Sequence, residues 1–585
     1  MRFLKHLTYL MMPLRVASLA SIAYSTIIFC QGIIPAIETI VLAEIIDNLE
    51  LNKVRTVFFV YIYIILIFID WIVPTIKKQI EIPIKNKLRT VSKNLYFDKI
   101  NNLPYSTVED KRTQDLWIRI SEREDAFFDG FCNFMNILQI FTQVLSSCYI
   151  VSLYSPQTAG ITLIMMVIII LINNKFSKRK YENHIKNSFE KRFVNYLSNI
   201  LTEVKYSKER FLFGFEKKSN EAYEKKYDEI LKKETDIELF RCLSTKVGGT
   251  LFTIFFVVVV LIIIYDGANN LTFGIFIAIC KRMISLVDLL SNQTSNAIYT
   301  FFNDMLYYED VHAFLRLKEK KSNKNNTHMR ITEISKIEFI NVSFTYPGTK
   351  NKVLNNLTFT MYKGKRYAFV GENGSGKTTI VKLLCGLYTN YTGEILINDI
   401  PLHEINRKNL NNLISVCFQD FICYDMSIDE NIRLEKNGND NEKLNEILRS
   451  IGLYNRISRL PEKGDSHIGK IFKDGIDFSG GERQKIALAR CLFKDAQINI
   501  LDEPTSALDP KFESKVIDII ESLSNDNINL IISHRLGCTK KVNMIFVLNN
   551  GHIAECGNYH DLIKKRGEYY EMYQKQSQWY KDKNK

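Results

Sequence analysis

Residues 371–378 combine three glycines with a lysine and a threonine, a composition suited to binding phosphate. The segment reads GENGSGKT. It lies between residues 366–370, which are predicted to form a buried strand, and a helix predicted to end near Leu384. This strand–loop–helix order is that of a P-loop. Its backbone N–H groups would surround phosphate oxygens, Lys377 would reach the β and γ phosphates, and Thr378 would ligate Mg²⁺.

An acidic pair, Asp502 and Glu503, follows the apolar residues 498–501, which are predicted to form another strand. In a parallel sheet, the carboxyl end of such a strand lies beside the P-loop. Asp502 would then suit the metal ion and Glu503 the attacking water. Taken alone, the pair could equally cap the end of the strand. Together with the P-loop, it is interpreted as a Walker B strand.

Residues 478–482 (FSGGE) resemble the signature of the ATP-binding-cassette (ABC) family, which usually reads LSGGQ. Phe478 and Glu482 depart from the usual signature at its two ends. Further elements match the family in the same order along the chain: the adenine-stacking aromatic (Tyr346), the Q-loop glutamine (Gln419), the D-loop (residues 506–509, ending at Asp509) and the switch histidine (His534). Each of these residues alone would more often be a packing or surface residue.

The resemblance implies an α/β P-loop NTPase domain that binds ATP and Mg²⁺ and hydrolyses ATP. The implied hydrolytic residues are Glu503, His534, Lys377 and Gln419, and the implied metal ligands are Thr378, Gln419 and Asp502. The implied nucleotide contacts are Tyr346, Gly371, Glu372, Asn373, Gly374, Ser375, Gly376, Lys377, Thr378, Thr379, Ser479, Gly480, Gly481, Glu482 and Asp509. The family closes each ATP between the P-loop of one cassette and the signature of another. One cassette per chain therefore implies a dimer, and the intact half-sites favour a homodimer over a heterodimer.

The first half of the chain contains apolar segments long enough to cross a bilayer. Residues 57–69, 161–172 and 251–264 are nearly unbroken apolar runs, and weaker runs accompany them. The weaker runs could be core helices of a soluble domain, but short turns join two of them to strong runs, as in membrane hairpins. The predicted spans are residues 16–46, 55–76, 131–153, 158–173, 247–265 and 271–292.

Charge predicts how these spans are oriented. Lys and Arg outnumber Asp and Glu by 77 to 64, and they are dense in the two long connections, residues 77–130 and 174–246. By the positive-inside rule, both long connections and both termini lie in the cytoplasm. The net charge of +13 is thus largely explained by membrane topology, and no nucleic-acid partner is predicted.

The predicted architecture is a polytopic α-helical membrane domain followed by the P-loop NTPase domain. The membrane domain comprises residues 1–317, with six transmembrane helices that have long cytoplasmic extensions, residues 318–335 form a linker, and residues 336–578 form the cassette. Polar breaks at residues 105–115 and 215–223 are predicted at the tips of the extensions and look like the coupling helices of the family. The 11 cysteines include no CxxC pair, so neither a zinc site nor a disulfide framework is predicted.

A membrane domain fused ahead of a single cassette resembles the exporters of the family, which implies export across the bacterial cytoplasmic membrane by alternating access. Residues 414–421, 428–432 and 468–475 look like the lanthipeptide and bacteriocin exporters of Gram-positive bacteria. The predicted cargo is therefore a modified peptide. The alternatives are a multidrug or lipid exporter of the same fold, a siderophore importer and a peptide-sensing membrane ATPase.

Two further expectations concern the cargo. The short stretch ahead of the first span leaves no room for a peptidase, so a leader protease and the peptide-modifying enzymes are expected to be separate proteins. Lys281 and Arg282 fall within the last predicted span, and charges inside a membrane usually face a cavity or pathway. They are predicted either to contact an acidic part of the cargo, or to pair with Asp288 or reach an interface.

Overall fold

The fold comes from a computed structural model that describes residues 7–49, 51–154, 188–265, 272–289, 293–320, 329–434, 440–469, 472–504 and 526–581, with a few single residues between them. The chain divides into two units. One comprises Met1–Leu103 and Lys111–Lys318, and the other comprises Pro104–Asp110 and Glu319–Lys585. The short segment Pro104–Asp110 therefore belongs with the second unit although it is flanked in sequence by the first.

The first unit is helical. With the one short helix of the segment Pro104–Asp110, α4, included in chain order, the described helices are α1 (Met12–Val16), α2 (Ser18–Asn48), α3 (Lys53–Asn102), α4 (Tyr105–Glu109), α5 (Lys111–Ser121), α6 (Ala126–Tyr154), α7 (Ser188–Thr202), α8 (Ser207–Phe213), α9 (Glu216–Tyr265), α10 (Phe273–Asp288) and α11 (Thr294–Leu315). α6 packs on both α2 and α11. Gly32 allows the approach of α2 to α6, because a Cβ there would lie 1.9 Å from Thr142 Oγ1.

α2 and α3 are long and apolar enough to cross a membrane. Only 6% of the most apolar window of α3 is buried within the unit. Large side chains such as Phe58, Ile65 and Trp71 are exposed along it. A continuous apolar surface of this kind needs a hydrocarbon environment, which is the physical reason to place this unit in a bilayer.

The second predicted coupling break, at residues 215–223, is wrong: from residue 216 onward it lies on the continuous helix α9. The chain turns earlier, at residues 203–215, where α8 ends at Gly214 in the left-handed conformation with φ of 59°. Glycine adopts this conformation without steric cost and so ends the helix, whereas the polar residues after it are tolerated on an exposed helix. The first predicted break, at residues 105–115, contains the short helix α4. The next helix, α5, already begins at Lys111, before the predicted end of the break at residue 115.

Within the last predicted span, residues 271–292, the described helix is α10, which ends at Asp288; α11 begins at Thr294, and residues 271 and 290–292 lie outside the described set. Asp47 fixes the start of α10, since its carboxylate accepts hydrogen bonds from Gly274 N, at 2.7 Å, and from the Thr272 hydroxyl. The predicted span at residues 158–173 lies almost entirely outside the described residues.

The second unit is built on two sheets. The strands are β1 (Lys336–Thr345), β2 (Lys352–Tyr362), β3 (Arg366–Gly371), β4 (Tyr391–Ile397), β5 (Ile400–Pro401), β6 (Ile414–Cys417), β7 (Ile498–Asp502), β8 (Ile528–Ile532), β9 (Met544–Asn549) and β10 (His552–Gly557). One sheet is antiparallel with the order β2-β1-β4-β5, and the other has the order β10-β9-β3-β8-β7-β6. All neighbours in the second sheet are parallel except β10 and β9.

Helices cover the parallel sheet. They are α12 (Lys377–Leu384), α13 (Arg407–Leu413), α14 (Ile428–Arg433), α15 (Asn441–Ser450), α16 (Tyr454–Ile457), α17 (Gly480–Phe493), α18 (Tyr559–Lys565) and α19 (Glu568–Lys581). Alternate residues of β3 enter two different cores. Phe369 lies in the core that also holds residues of the antiparallel sheet, whereas Val370 lies in the core beneath α14 and α17. β3 is thus buried on both faces, as a central parallel strand requires.

The strand order decides which loops meet. β3, β8, β7 and β6 are neighbours and run in the same direction, so their carboxyl ends lie at one edge of the sheet. The P-loop follows β3, Asp502 ends β7, and His534 follows β8. Gln419 comes two residues after β6. Residues far apart in sequence are therefore brought together by this register.

Candidate functional site

The loop after β3 has the backbone shape that closes around phosphate. Gly371, Gly374 and Gly376 have φ values of 149°, 82° and 104°. The backbone also approaches other chain segments closely here. A Cβ at Gly371 would lie 2.2 Å from Leu548 O, and one at Gly376 would lie 2.6 Å from Leu354 Cδ2. Glycine is therefore required both for conformation and for space.

Lys377 begins α12 and is 95% buried, with 5% of its surface exposed. Its Nζ donates hydrogen bonds to Gly371 O, at 2.9 Å, and to Glu372 O, at 2.7 Å. Burial lowers the pKa of Lys377, while the charges of Glu503 and Asp502 counteract this effect. The ammonium is thus held inside the loop, where a phosphate oxygen would replace its carbonyl partners.

Asp502 has the environment of a cation ligand. It is 1% exposed, and both carboxylate oxygens are buried without a hydrogen-bond partner among the described residues. Burial raises the pKa of Asp502 to about 6; the neighbouring Thr378 hydroxyl opposes this rise and the charge of Glu503 adds to it. A buried carboxylate without partners is costly unless a cation or a proton satisfies it. Asp502 and Thr378 together fit Mg²⁺, which prefers oxygen ligands.

Glu503 is held from several sides. His534 Nε2 lies 2.8 Å from Oε1, and Gln419 Nε2 donates to Oε2 at 3.0 Å. The backbone N–H of Glu503 donates to Ile532 O at 2.9 Å, and its carbonyl accepts from Gln484 Nε2 at 3.2 Å. The residue has a φ of 50°, which is uncommon for a side chain of this size and positions the carboxylate between its two partners.

His534 is the neutral partner of this carboxylate. Burial and the charge of Lys377 lower the pKa of His534, while Glu503 raises it. A lowered pKa leaves the imidazole neutral at neutral pH. With Nε2 protonated, it donates to Glu503 and orients the carboxylate. The arrangement can therefore hold a water molecule for attack and accept its proton.

A cavity of about 470 Å³ joins these groups. Its lining includes Tyr346, Val353, Asn373, Gly374, Gly376, Lys377, Thr378, Thr379, Gln419, Glu503 and His534. Tyr346 contacts α12 on one side of the cavity, where its hydroxyl oxygen lies 3.0 Å from Thr379 Oγ1. The sequence had marked every one of these residues except Val353, which follows the first residue of β2 and carries no motif.

The signature segment lies elsewhere on the unit. Ser479 caps α17, and its Oγ accepts from Glu482 N at 3.3 Å while Glu482 Oε2 accepts from Ser479 N at 2.9 Å. This is a capping box, so the glutamate that departs from the family pattern has a structural role. Phe478, the other departure, is buried in the core, 3% exposed. Ser479 and Gly480 are exposed and do not line the cavity. Asp509 lies outside the described residues.

Two contacts near the site are made by residues that belong to no recognised sequence motif. Gln484 is 1% exposed, and its Nε2 donates a hydrogen bond to the Glu503 carbonyl. Within the second unit, α4 reaches the Tyr346 wall through Tyr388, whose hydroxyl donates to the Glu109 carboxylate. Tyr388 also lies edge-on to Tyr346, with ring centroids 5.4 Å apart, and to Tyr105, at 5.6 Å. This connection consists of aromatic packing and the hydrogen bond to Glu109, neither of which follows from a sequence motif.

The two basic residues of the last predicted span have partners within the first unit. Arg282 is buried, and its Nε donates to Ser147 Oγ at 2.8 Å. Lys281 Nζ donates to the Tyr63 hydroxyl at 2.8 Å. The predicted pairing with Asp288 concerns a side chain outside the described set. Contact with an acidic part of the cargo remains a prediction for both residues.

Comparison with known proteins agrees with this geometry. Residues 354–506 match the family described as ABC transporter, and residues 22–286 match the family described as ABC transporter transmembrane region. A solved bacterial Atm1-family ABC exporter with ATP bound superposes with a TM-score of 0.81 at 19% identity, covering 95% of this chain and 98% of that one. At this identity the likeness establishes the fold, a helical membrane region followed by an α/β nucleotide-binding domain.

Three proteins whose names state a transport function align with half or more of this chain. The subtilin transport ATP-binding protein SpaT of Bacillus subtilis is 30% identical over 556 residues, which is 91% of this chain and 88% of SpaT. The nisin transport ATP-binding protein NisT of Lactococcus lactis is 35% identical over 51% of this chain and 50% of NisT. The ATP-dependent lipid A-core flippase of Escherichia coli K12 is 28% identical over 72% of this chain and 71% of the flippase. The chain therefore belongs to the ABC transporters and is a multi-pass membrane ATPase of the exporter type, with fused transmembrane and ATP-binding domains.

Proposed function

We propose that this protein uses Mg²⁺-dependent ATP hydrolysis to export a modified peptide of the lanthipeptide or bacteriocin class across the bacterial cytoplasmic membrane. The observation that carries the peptide assignment is the length of the likeness to SpaT, a subtilin transport protein, which covers 91% of this chain. The match therefore includes the membrane half, where cargo must be bound. Nucleotide-binding domains are similar among exporters of every cargo, so a match confined to them would not favour a peptide.

The residues of the site divide the hydrolytic work between them. The P-loop N–H groups and Lys377 bind the phosphates, and Glu503 orients the attacking water in line with the γ-phosphoryl group. His534 orients the Glu503 carboxylate. Thr378 with Asp502 would hold Mg²⁺, which supplies charge neutralisation on the phosphates. Most of the rate enhancement would then come from positioning and electrostatic stabilisation.

We assign the second half of each ATP site to a second copy of this chain. Ser479 and Gly480 are exposed and lie outside the ATP cavity of their own unit, so they are available to nucleotide held by another copy. The exposed tip of α8 also favours a dimer. Phe211 and Phe213 are 75% and 71% exposed there, a cost that a partner surface would remove. A homodimer is preferred to a heterodimer because this chain carries both the signature and the catalytic glutamate.

The proposed orientation places both termini, α4 and α8 in the cytoplasm, in agreement with the Lys and Arg content of the two long connections. ATP-driven closure of the two cassettes would move these helices and switch the membrane helices from inward to outward access. Peptide modification and leader removal would be performed by separate proteins. The competing cargo is a lipid, because the lipid A-core flippase matches 72% of this chain.

Uptake into inside-out proteoliposomes tests the assignment. The wild type and Glu503→Gln are each supplied with ATP and Mg²⁺, and three cargoes are compared: a leader-bearing modified peptide, a fluorescent lipid and a lipophilic dye. The proposal expects peptide accumulation by the wild type alone. Accumulation of lipid or dye without peptide would refute the peptide cargo and leave the ATPase assignment unchanged.

A further inference from the structure

A polar groove runs between α6 and α11 within the first unit. It consists of two adjoining cavities of about 550 Å³ and 360 Å³ that share Asn133 and Thr300 as lining residues. The smaller cavity is lined on the α6 side by Asn136, Gln139 and Gln143 and on the α11 side mainly by Gln293 and Asn296. Side-chain amides thus form most of its wall.

The amides of α6 share one helical face. Asn133, Asn136, Gln139 and Gln143 follow each other at spacings of three, three and four residues, which keeps them within about a third of the helix circumference. They lie within the segment predicted to span the membrane. Amides facing hydrocarbon without hydrogen-bond partners are costly. This stripe therefore needs a polar occupant, and the groove opens directly onto it.

One of these amides, that of Gln143, has a buried side-chain oxygen without a hydrogen-bond partner among the described residues. The Gln143 backbone carbonyl, by contrast, accepts from Ser147 Oγ at 2.6 Å. An acceptor that is shielded from water and unpaired costs free energy unless a donor reaches it from within the groove. An N–H group of a bound molecule would satisfy it.

Two ion pairs lie at the wide end of the groove. Asp304 is 1% exposed and accepts from Arg123 Nη2 at 2.7 Å and from Asn133 Nδ2 at 2.8 Å. Arg119 pairs with Asp310, with its Nε 2.8 Å from Oδ2. Two further carboxylates, Glu122 and Asp129, line this end, so acidic residues outnumber basic ones there. The smaller cavity, by contrast, is lined by uncharged residues, and six of the nine carry side-chain amides.

We propose that this groove, which we call the amide groove, binds the main chain of a peptide cargo in an extended conformation. An amide side chain offers one acceptor and two donors, so it can pair with the N–H and C=O of a peptide unit. The stripe from Asn133 to Gln143 is about 15 Å long. That length accommodates roughly four or five residues of extended chain. The inference rests on the proposed peptide cargo and adds the mode of recognition.

Main-chain recognition fits a modified peptide and disfavours a lipid. Hydrogen bonds to peptide units do not depend on which side chains have been modified. An acyl chain would instead require a wall without hydrogen-bonding groups, whereas six of the nine residues that line the smaller cavity carry side-chain amides. The amide groove therefore takes the peptide backbone and leaves the cargo's side chains to other surfaces.

The test replaces amides by a side chain of similar size that cannot form hydrogen bonds. Asn136→Leu/Gln139→Leu removes two amides from the groove. Leu138→Ala, at an exposed position between them, is the matched control. The probe is a short synthetic segment of subtilin, with a second copy that carries N-methyl groups on alternate residues and so lacks those N–H donors. The readouts are basal ATPase activity and the peptide concentration that gives half-maximal stimulation.

For the wild type and the control, the N-methylated peptide should need a concentration about tenfold higher than the unmodified peptide, since the loss of two hydrogen bonds corresponds to roughly that factor. The double variant should respond equally weakly to both peptides. If the double variant fails to fold, Asn296→Ala, at an exposed side chain of α11, replaces it. This variant should reduce the difference between the concentrations of the two peptides that give half-maximal stimulation.

Two outcomes overturn the inference in different ways. If the double variant still distinguishes the two peptides as the wild type does, the amide groove does not bind the main chain, although peptide export stands. If lipid stimulates the wild type and neither peptide does, the peptide cargo itself fails and the inference fails with it.

Discussion

Replacing Glu503 by glutamine should nearly abolish turnover while ATP binding persists. The substitution keeps the side-chain shape and removes the charge that polarises the attacking water. The backbone contacts of Glu503 to Ile532 and Gln484, at 2.9 Å and 3.2 Å, do not involve the side chain and should survive. The P-loop groups that bind the phosphates are also unchanged. The loss therefore falls on the chemical step rather than on binding.

The size of this loss follows from the role of the carboxylate. A positioned general base typically contributes a factor of about 10² to 10⁴ in rate. His534 and Gln419 each contact one carboxylate oxygen of Glu503, at 2.8 Å and 3.0 Å, and so fix its orientation. We therefore expect Glu503→Gln to lower the turnover rate by about 10³-fold. This factor corresponds to about 4 kcal/mol in the activation free energy. The affinity for ATP should remain within about threefold of that of the wild type.

Phosphate release and ATP binding are measured on the same purified preparations. Asp495→Asn is the matched control, since it makes the same acid-to-amide change at an exposed residue that also has a positive φ, 53°, shortly before β7 begins. It should keep the turnover of the wild type. Wild-type turnover in Glu503→Gln would refute the reasoning, and so would a loss of ATP binding equal to the loss of turnover.

Three further substitutions have expected outcomes. Gly376→Ala forces a Cβ onto a backbone with φ of 104°, so ATP affinity measured by nucleotide titration should fall by about tenfold or more; unchanged affinity would contradict the assigned loop geometry. Tyr388→Phe keeps the ring contacts but removes the hydrogen bond to Glu109, so cargo stimulation of ATPase activity should fall several-fold at constant basal activity, and equal stimulation would show that this bond is not used. Hydrogen bonding from Arg89 lowers the pKa of Asp125, so this carboxylate stabilises the fold above its unfolded pKa of about 3.9 and the stabilisation is lost as pH falls through the lower folded pKa. Asp125→Asn should therefore lower the melting temperature at pH 7, and the difference from wild type should shrink in acid; a difference independent of pH would contradict the ionic explanation.

The Tyr388 substitution probes how the membrane half could influence the cassette. Lys382 on α12 places its Nζ 5.6 Å from the centroid of the Tyr346 ring and 3.9 Å from the Glu109 carboxylate. Together with the Tyr388 contacts, it connects α4 to the wall of the ATP cavity. Movement of α4 would therefore alter the packing of the aromatic ring that is expected to stack on adenine.

The P-loop and the acidic pair could be predicted from sequence because both are local patterns, whereas Gln419 and His534 are single residues identified only by their order in the family. The glycine spacing of residues 371–378 follows from backbone conformation, and the apolar run before Asp502 and Glu503 follows from burial of a central strand. The break at residues 215–223 was predicted wrongly because polar residues alone do not end a helix. The left-handed Gly214 does, and a lone glycine among polar residues is a weak signal.

The sequence by itself determined the class of chemistry, that of an ABC ATPase: it contains a phosphate-binding loop, an acidic pair at the end of a strand and apolar segments long enough to cross a bilayer. The tertiary structure decided which partners those residues have. The strand order brings His534 and Gln419 to the two oxygens of Glu503, and the packing of α6 against α11 gathers scattered amides into one groove. The physical reason is that local patterns record backbone conformation and burial, whereas pairing between distant segments depends on how strands and helices pack.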